Sequence, residues 1–287
     1  MNENNTNINW YPGHMAKTKR QIKEIINQID IVVHVLDARI PKSSYIKDID
    51  MFTNNKKQII LLSKYDLCDI KETEKWINYY KNKGYSVLTC NLKQGNDYKK
   101  VITEVEKQME DINKKREQKG LLPKKAKVLI VGVSNVGKST LINKLVNKKV
   151  SETGNKPGVT KNINTIRINE KIDLVDTPGV LWPKFDEEIV ALNLSAMTII
   201  KEEVLPLDEV AIHILKMLQN NYPDIYKKMY NLDFYDERRL IEIYEIISKH
   251  RNIPFYDDEP DYERINVLIT NDIKSERISG ITFDKFV

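Results

Sequence analysis

Cysteine, glycine and long apolar runs are all scarce in this chain of 287 residues. The two cysteines, Cys68 and Cys90, have neither metal-ligand spacing nor a half-cystine framework. That sets aside a disulfide-stapled fold and a thiolate metal site, and reduced thiols are expected. No apolar run approaches the roughly 20 residues of a membrane-spanning helix, so no membrane role is expected. The opening Met1-Asn-Glu-Asn-Asn-Thr-Asn7 has no basic start or apolar core like a secretory signal. Nor does it resemble an Arg-rich, acid-poor mitochondrial presequence. The expectation is a cytoplasmic protein.

What is present divides by charge. Residues 1–190 hold 34 Lys and Arg against 23 Asp and Glu, a net of +11, and residues 191–287 hold 12 against 18, a net of −6. A basic first part suits a polyanionic partner such as RNA. Its densest stretch, Lys114 to Lys127, carries Gly120 and Pro123 and reads as a linker.

That linker leads into the most specific motif of the chain. The run Val128-Leu-Ile-Val131 reads as a strand, Gly132-Val-Ser-Asn-Val-Gly-Lys-Ser139 is a complete phosphate-binding loop, and Thr140 to Val146 reads as a helix. In this context the glycines let backbone N–H groups wrap a phosphate chain, with Asn135, Val136 and Gly137 among the nucleotide-binding residues. Lys138 reaches the β- and γ-oxygens, Ser139 ligates Mg²⁺, and Thr140 opens the helix on the phosphates. Downstream, Asp176-Thr-Pro-Gly179 follows an apolar run. Asp176 is placed to hold Mg²⁺ through water, and the Gly179 N–H to sense the γ-phosphate. Between them, Lys156-Pro-Gly-Val-Thr160 offers Thr160 as the hydroxyl that completes Mg²⁺ coordination.

The base-reading element is Ser63-Lys-Tyr-Asp66. Asp66 can accept both N1–H and N2–H₂ of guanine, a donor pair that adenine lacks, so GTP and GDP are expected and an ATPase is disfavoured. Lys64 would pack its stem along the purine face. Ser63 stands where such motifs begin with Asn, which removes one hydrogen bond from the N7 side. Asn91-Leu-Lys93 occupies the position of the second base-contacting loop, with a poor match. Val180, after Gly179, cannot orient an attacking water. Catalysis must draw on another group: Asn135 as ligand of a monovalent cation, or His14, which precedes a helix.

Apolar runs bounded by turn residues predict six strands: 31–36, 59–62, 86–90, 128–131, 164–168 and 172–175. A helical pattern over 16–29 precedes the first strand, and those over 73–82 and 98–117 follow the second and third, which argues a mostly parallel α/β sheet, with an antiparallel hairpin at its end. After about Pro183 the patterns are helical, at 208–218, 237–249 and 261–270. The expected division is a nucleotide-binding domain over residues 1–185 and a small all-α domain over 186–287.

The base-reading motif precedes the phosphate loop by roughly seventy residues, where an ordinary GTPase has it downstream. Together with Trp10-Tyr-Pro-Gly-His-Met-Ala-Lys17, Asp37-Ala-Arg-Ile-Pro41, Ser43-Ser44 and Asp261-Tyr-Glu-Arg264, that order resembles the circularly permuted GTPases of the ribosome-biogenesis GTPase A group. The resemblance implies a circularly permuted P-loop fold and a late precursor of the large ribosomal subunit, with its rRNA, as partner. It further implies hydrolysis coupled to release, Mg²⁺ with K⁺ as activating cation, His14 as the catalytic group, and a monomer off the ribosome. The alternative is a nucleotide-gated RNA-binding placeholder whose turnover is incidental. Two departures stand out: Ser63, and a closing segment, Asn271 to Gly280, within a net acidic tail.

Overall fold

The computed structural model describes residues 20–53, 55–93, 95–146, 164–177, 188–200 and 205–286. The six β-branched, apolar runs are all strands: β1 Ile31–Asp37, β2 Lys57–Ser63, β3 Ser86–Cys90, β4 Ala126–Val131, β5 Asn164–Arg167 and β6 Ile172–Asp176. They form one sheet in the order β3-β2-β1-β4-β6-β5. Every neighbouring pair is parallel except β5 and β6, the hairpin. All seven residues of β1 are buried, as a central strand covered on both faces requires.

Helix α1 Ile70–Asn82 links β2 to β3, α2 Lys99–Glu117 links β3 to β4, and α3 Lys138–Val146 follows β4. Helix α1 starts a turn before the expected Thr73 because Asp69 caps it, its carboxylate accepting the Glu72 N–H at 3.2 Å. The basic stretch after α2 is folded back along the helix end. Asn113 brackets Lys124 with bonds of 3.0 and 3.3 Å to its N–H and carbonyl, and Arg116 Nε donates to Leu122 O at 3.0 Å. Lys114, Lys115, Lys119, Lys124 and Lys125 stay exposed.

From residue 188 onward the chain is largely helical: α4 Glu188–Ala196, α5 Leu207–Asn221, α6 Pro223–Tyr230, α7 Leu240–Arg251 and α8 Tyr262–Lys274. Two of these escaped the sequence pattern. Helix α4 is apolar nearly all round, so it shows no stripe, and it packs with Ala191, Asn193, Leu194 and Ala196 buried. Helix α6 has eight residues, opens on Pro223 and closes on left-handed Asn231 (φ 56°), which reads as a turn. A fork from Arg251 to the buried Asp272 carboxylate (2.8 and 3.1 Å) joins α7 to α8.

One hydrophobic core runs from the sheet into these helices, taking in Val33, Leu129, Ala191, Leu194, Ile214, Ile243 and Ile269. A smaller one lies beneath α1, with Leu36, Ile60, Leu62, Trp76 and Tyr80. After α8, residues 276–286 cross back over the expected domain boundary. There Trp76 Nε1 of α1 donates to Asp284 O at 2.8 Å.

Candidate nucleotide site

In open α/β sheets the ligand crevice lies beyond the carboxyl ends of the parallel strands. Here those ends carry Asp37, Ser63, Cys90, Val131 and Asp176, and the phosphate-loop, SKYD and Asn91-Leu-Lys93 motifs fall at these ends or on the loops that follow them.

The phosphate loop connects β4 to α3, and two of its glycines are required. A Cβ at Gly132 would sit 2.4 Å from the Val35 carbonyl oxygen, a backbone atom that cannot swing aside. Gly137 has φ +98° and room of only 2.8 Å to Leu92 Cδ1, so the second base loop presses directly on the phosphate loop. Lys138 is buried, and its ammonium donates to Val133 O at 2.7 Å. Burial lowers its pKa to about 8, against the opposing pull of the Asp176 carboxylate. Ser139 and Thr140, half-buried, follow at the start of α3.

Asp176, buried at the end of β6, and the Ser139 hydroxyl are hard oxygen donors of the kind Mg²⁺ takes. Among the described residues no group of three or more His, Cys, Asp or Glu side chains gathers as a cage. A sparse protein donor set completed by phosphate and water fits Mg²⁺ at a nucleotide. Thr177 anchors the end of β6 by donating to Ile130 O at 2.8 Å.

The base side is organised by an ion cluster that pattern reading did not assign. Asp37 is fully buried and takes a fork from Arg39 (Nε to Oδ1 2.9 Å, Nη2 to Oδ2 2.7 Å) and a bond from Lys64 Nζ at 2.8 Å. Burial alone would raise the Asp37 pKa, but the two cations outweigh it and hold the carboxyl well below the usual range. Lys64 is lowered by burial, with Asp37 pulling it back up. Left-handed Lys64 (φ 54°) turns the chain so that its ammonium points inward while Asp66 stands exposed. The Asp37-Ala-Arg39 signature thus fixes the lysine of the base-reading motif. The sequence signal that could have revealed this was the Asp–Arg pair at a strand end.

Ser63 is tied into the backbone around it. Its buried hydroxyl lies 2.6 Å from Val136 O and 2.8 Å from Leu36 O, and its single proton serves one of these carbonyls at a time. It ties β2 to the phosphate loop, which leaves that proton engaged away from a base. Asn91 uses its side-chain oxygen to accept the Lys93 N–H at 2.8 Å, closing a turn in the second base loop. Asn135 is left-handed (φ 58°), and its Nδ2 donates at 2.7 Å to the carbonyl of Thr198, in the turn that ends α4. His14, Thr160, Gly179 and Val180 lie outside the described residues.

Residues 127–247 match the family described as 50S ribosome-binding GTPase, and residues 14–186 match RsgA GTPase. Ribosome biogenesis GTPase A of Bacillus cereus is 36% identical over 277 residues, which cover 96% of this chain and 93% of that protein. The protein of the same name from Priestia megaterium is 37% identical over 278 residues, 96% of each chain. Among solved structures, GNP-bound YlqF from T. maritima aligns with a TM-score of 0.64 and 25% identity, covering 94% of this chain and 98% of the other. Phosphate loop and base-reading loops therefore meet in permuted order on a shared fold, and the chain belongs to the ribosome biogenesis GTPase A family, a GTP-hydrolysing enzyme of ribosome biogenesis.

Proposed function

We propose that this GTPase binds a late precursor of the large ribosomal subunit, including its rRNA, promotes its maturation in the cytoplasm, and couples hydrolysis to its own release as a monomer. The observation that carries the reading is the set of exposed lysines at the end of α2 and just after it, on the basic part of a chain whose matched family is described as 50S ribosome-binding. Lysines of this kind supply salt-sensitive phosphate contacts. The helical part, net acidic, would add contacts of shape.

Within the site, Lys138 and the N–H groups of the Asn135-Val136-Gly137 turn hold the phosphates, with Thr140 opening the helix on them. Ser139, Asp176 and Thr160 hold Mg²⁺, and Gly179 senses the γ-phosphate. Asp66, beside Lys64 and the Asn91 loop, reads guanine, and Ser63 acts by holding the phosphate loop. Asn135, whose Nδ2 is engaged by Thr198 O, would meet K⁺ through its carboxamide oxygen. His14 is the group delivered to the attacking water.

The test measures GTP turnover with and without large-subunit precursor particles, in potassium and in sodium at matched ionic strength. Turnover should rise with the particle and be faster in potassium. His14→Ala should lower the stimulated rate by about tenfold or more while GTP affinity and particle binding hold. A rate the particle does not raise refutes the coupling and favours a placeholder. Equal rates in the two salts remove the potassium role of Asn135.

A further inference from the structure

The segment that returns after α8 does not simply lie on the nucleotide-binding part. It bonds to three separate loops at the base edge of the site. Glu276, left-handed at φ +63°, pairs its carboxylate with the ammonium of Lys93, in the second base loop. Gly280 N–H donates to Leu67 O at 2.8 Å, and Ile281 N–H to the same oxygen at 3.3 Å. Leu67 follows Asp66 directly. Phe283 N–H donates to Arg39 O at 2.7 Å, and Arg39 forks onto Asp37, the carboxylate that also holds Lys64.

The segment is itself held in place. Ile278, Ile281, Thr282, Phe283 and Asp284 are buried. The Asp284 carboxylate accepts the N–H and hydroxyl of Ser43, each at 2.6 Å. Ordinary packing between two parts of a chain would suffice to bury isoleucines. It would not call for main-chain bonds to the residue after Asp66 and to Arg39, which shares the Asp37 carboxylate with Lys64, together with an ion pair to Lys93. The Glu276 carboxylate also lies close enough to favour the charged forms of Arg39 and Lys64.

We infer that residues 276–284 form an outer wall of the guanine pocket, with Glu276 as a positioning residue that acts through Lys93. Guanine occupancy and docking of this segment then stabilise each other reciprocally. A partner that pulls on α8 would loosen the base loops and speed nucleotide release. This rests on the reading of Asp66 as the guanine-recognising residue.

The experiment uses the full chain and Glu276→Gln, with three readouts: dissociation of a fluorescent GDP, affinity for Mg²⁺-tripolyphosphate, and hydrogen exchange at the amides of Gly280, Ile281 and Phe283. The variant should release GDP about two- to fivefold faster, the range expected for a partly exposed ion pair. Its tripolyphosphate affinity should be unchanged. In the unmutated chain GDP should slow exchange at the three amides and tripolyphosphate should not. Unchanged GDP release, equal losses for GDP and tripolyphosphate, or exchange indifferent to GDP overturns the inference. Failure of the base reading is seen separately, as equal binding of GDP and ADP by the unmutated chain.

Discussion

Lys138 ties nucleotide affinity to pH in a way the structure makes quantitative. Its pKa sits at about 8 because the ammonium is buried, with Val133 O and the nearby Asp176 carboxylate, among the described residues, to offset lost hydration. The lowered value makes the charged lysine a cost to folding below pH 8, relieved as pH rises from there toward the unfolded value. A phosphate chain in the loop adds several negative charges beside the ammonium and drives the pKa back up, so binding takes up a proton wherever the free lysine is partly neutral. If only the ammonium form holds phosphate, apparent affinity falls about twofold at pH 8 and about fivefold by pH 8.6, relative to pH 7. Stopping there keeps the guanine N1–H in place. Calorimetric titration of GDP in two buffers of different ionisation enthalpy should show uptake of about half a proton at pH 8. Affinity flat across this window, with no proton uptake, would refute the argument.

Two further outcomes follow from the buried polar groups. Asp37→Asn leaves the Arg39 guanidinium buried without its carboxylate, and should cost about 3–5 kcal/mol in urea denaturation, with GDP affinity falling as Lys64 loses its anchor; a loss under about 1 kcal/mol would show that the triad is not a pillar of the base loop. Ser63→Ala removes the hydroxyl between Val136 O and Leu36 O and should weaken GDP by about five- to thirtyfold (about 1–2 kcal/mol) without shifting the preference for guanine over adenine, whereas lost preference would return Ser63 to the base.

Local pattern revealed the sheet because its central strands β1, β2, β4 and β6 are largely buried apolar runs bounded by turn residues. The loops after β2 and β4 could be located for the same reason, since each motif is packed into a few consecutive residues at a strand end. What stayed hidden depends on distance along the chain. Nothing near Asn135 announces Thr198, and nothing near Lys93 announces Glu276, because these partners are bonded through tertiary placement alone. Asn193 was equally silent: a lone polar residue in the apolar α4 is a signal only once its partners are known. Ser63 was visible as a departure, but its role needed the Val136 carbonyl to be seen beside it.

That asparagine bears on how the helical part is held. Asn193 Nδ2 donates to Asp284 Oδ1 at 2.9 Å and to Ser43 Oγ at 3.1 Å, while its oxygen lies 2.8 Å from His213 Nε2. Burial, helped by Lys216, lowers the His213 pKa to about 4, so near pH 7 the ring is neutral, and the asparagine oxygen makes Nε2–H the donor. Four residues from α4, α5, the loop after β1 and the returning segment thus meet in one buried polar junction. An apolar junction of the same size would tolerate sliding, whereas these bonds hold only in one register. Asn193→Leu keeps the volume but strands the His213 N–H and removes a donor from Asp284, at a cost of about 2–4 kcal/mol. Urea denaturation reads the loss, and faster hydrogen exchange across α4 and at the Thr198 turn reads the slackened register. A variant as stable as the parent, with α4 exchange unchanged, would mean that the apolar core alone sets the register. With the junction intact, α4 is pinned at its middle by Ser43 and Asp284 and at its end by Asn135, so a movement of the phosphate loop acts on the end of a helix whose middle is held.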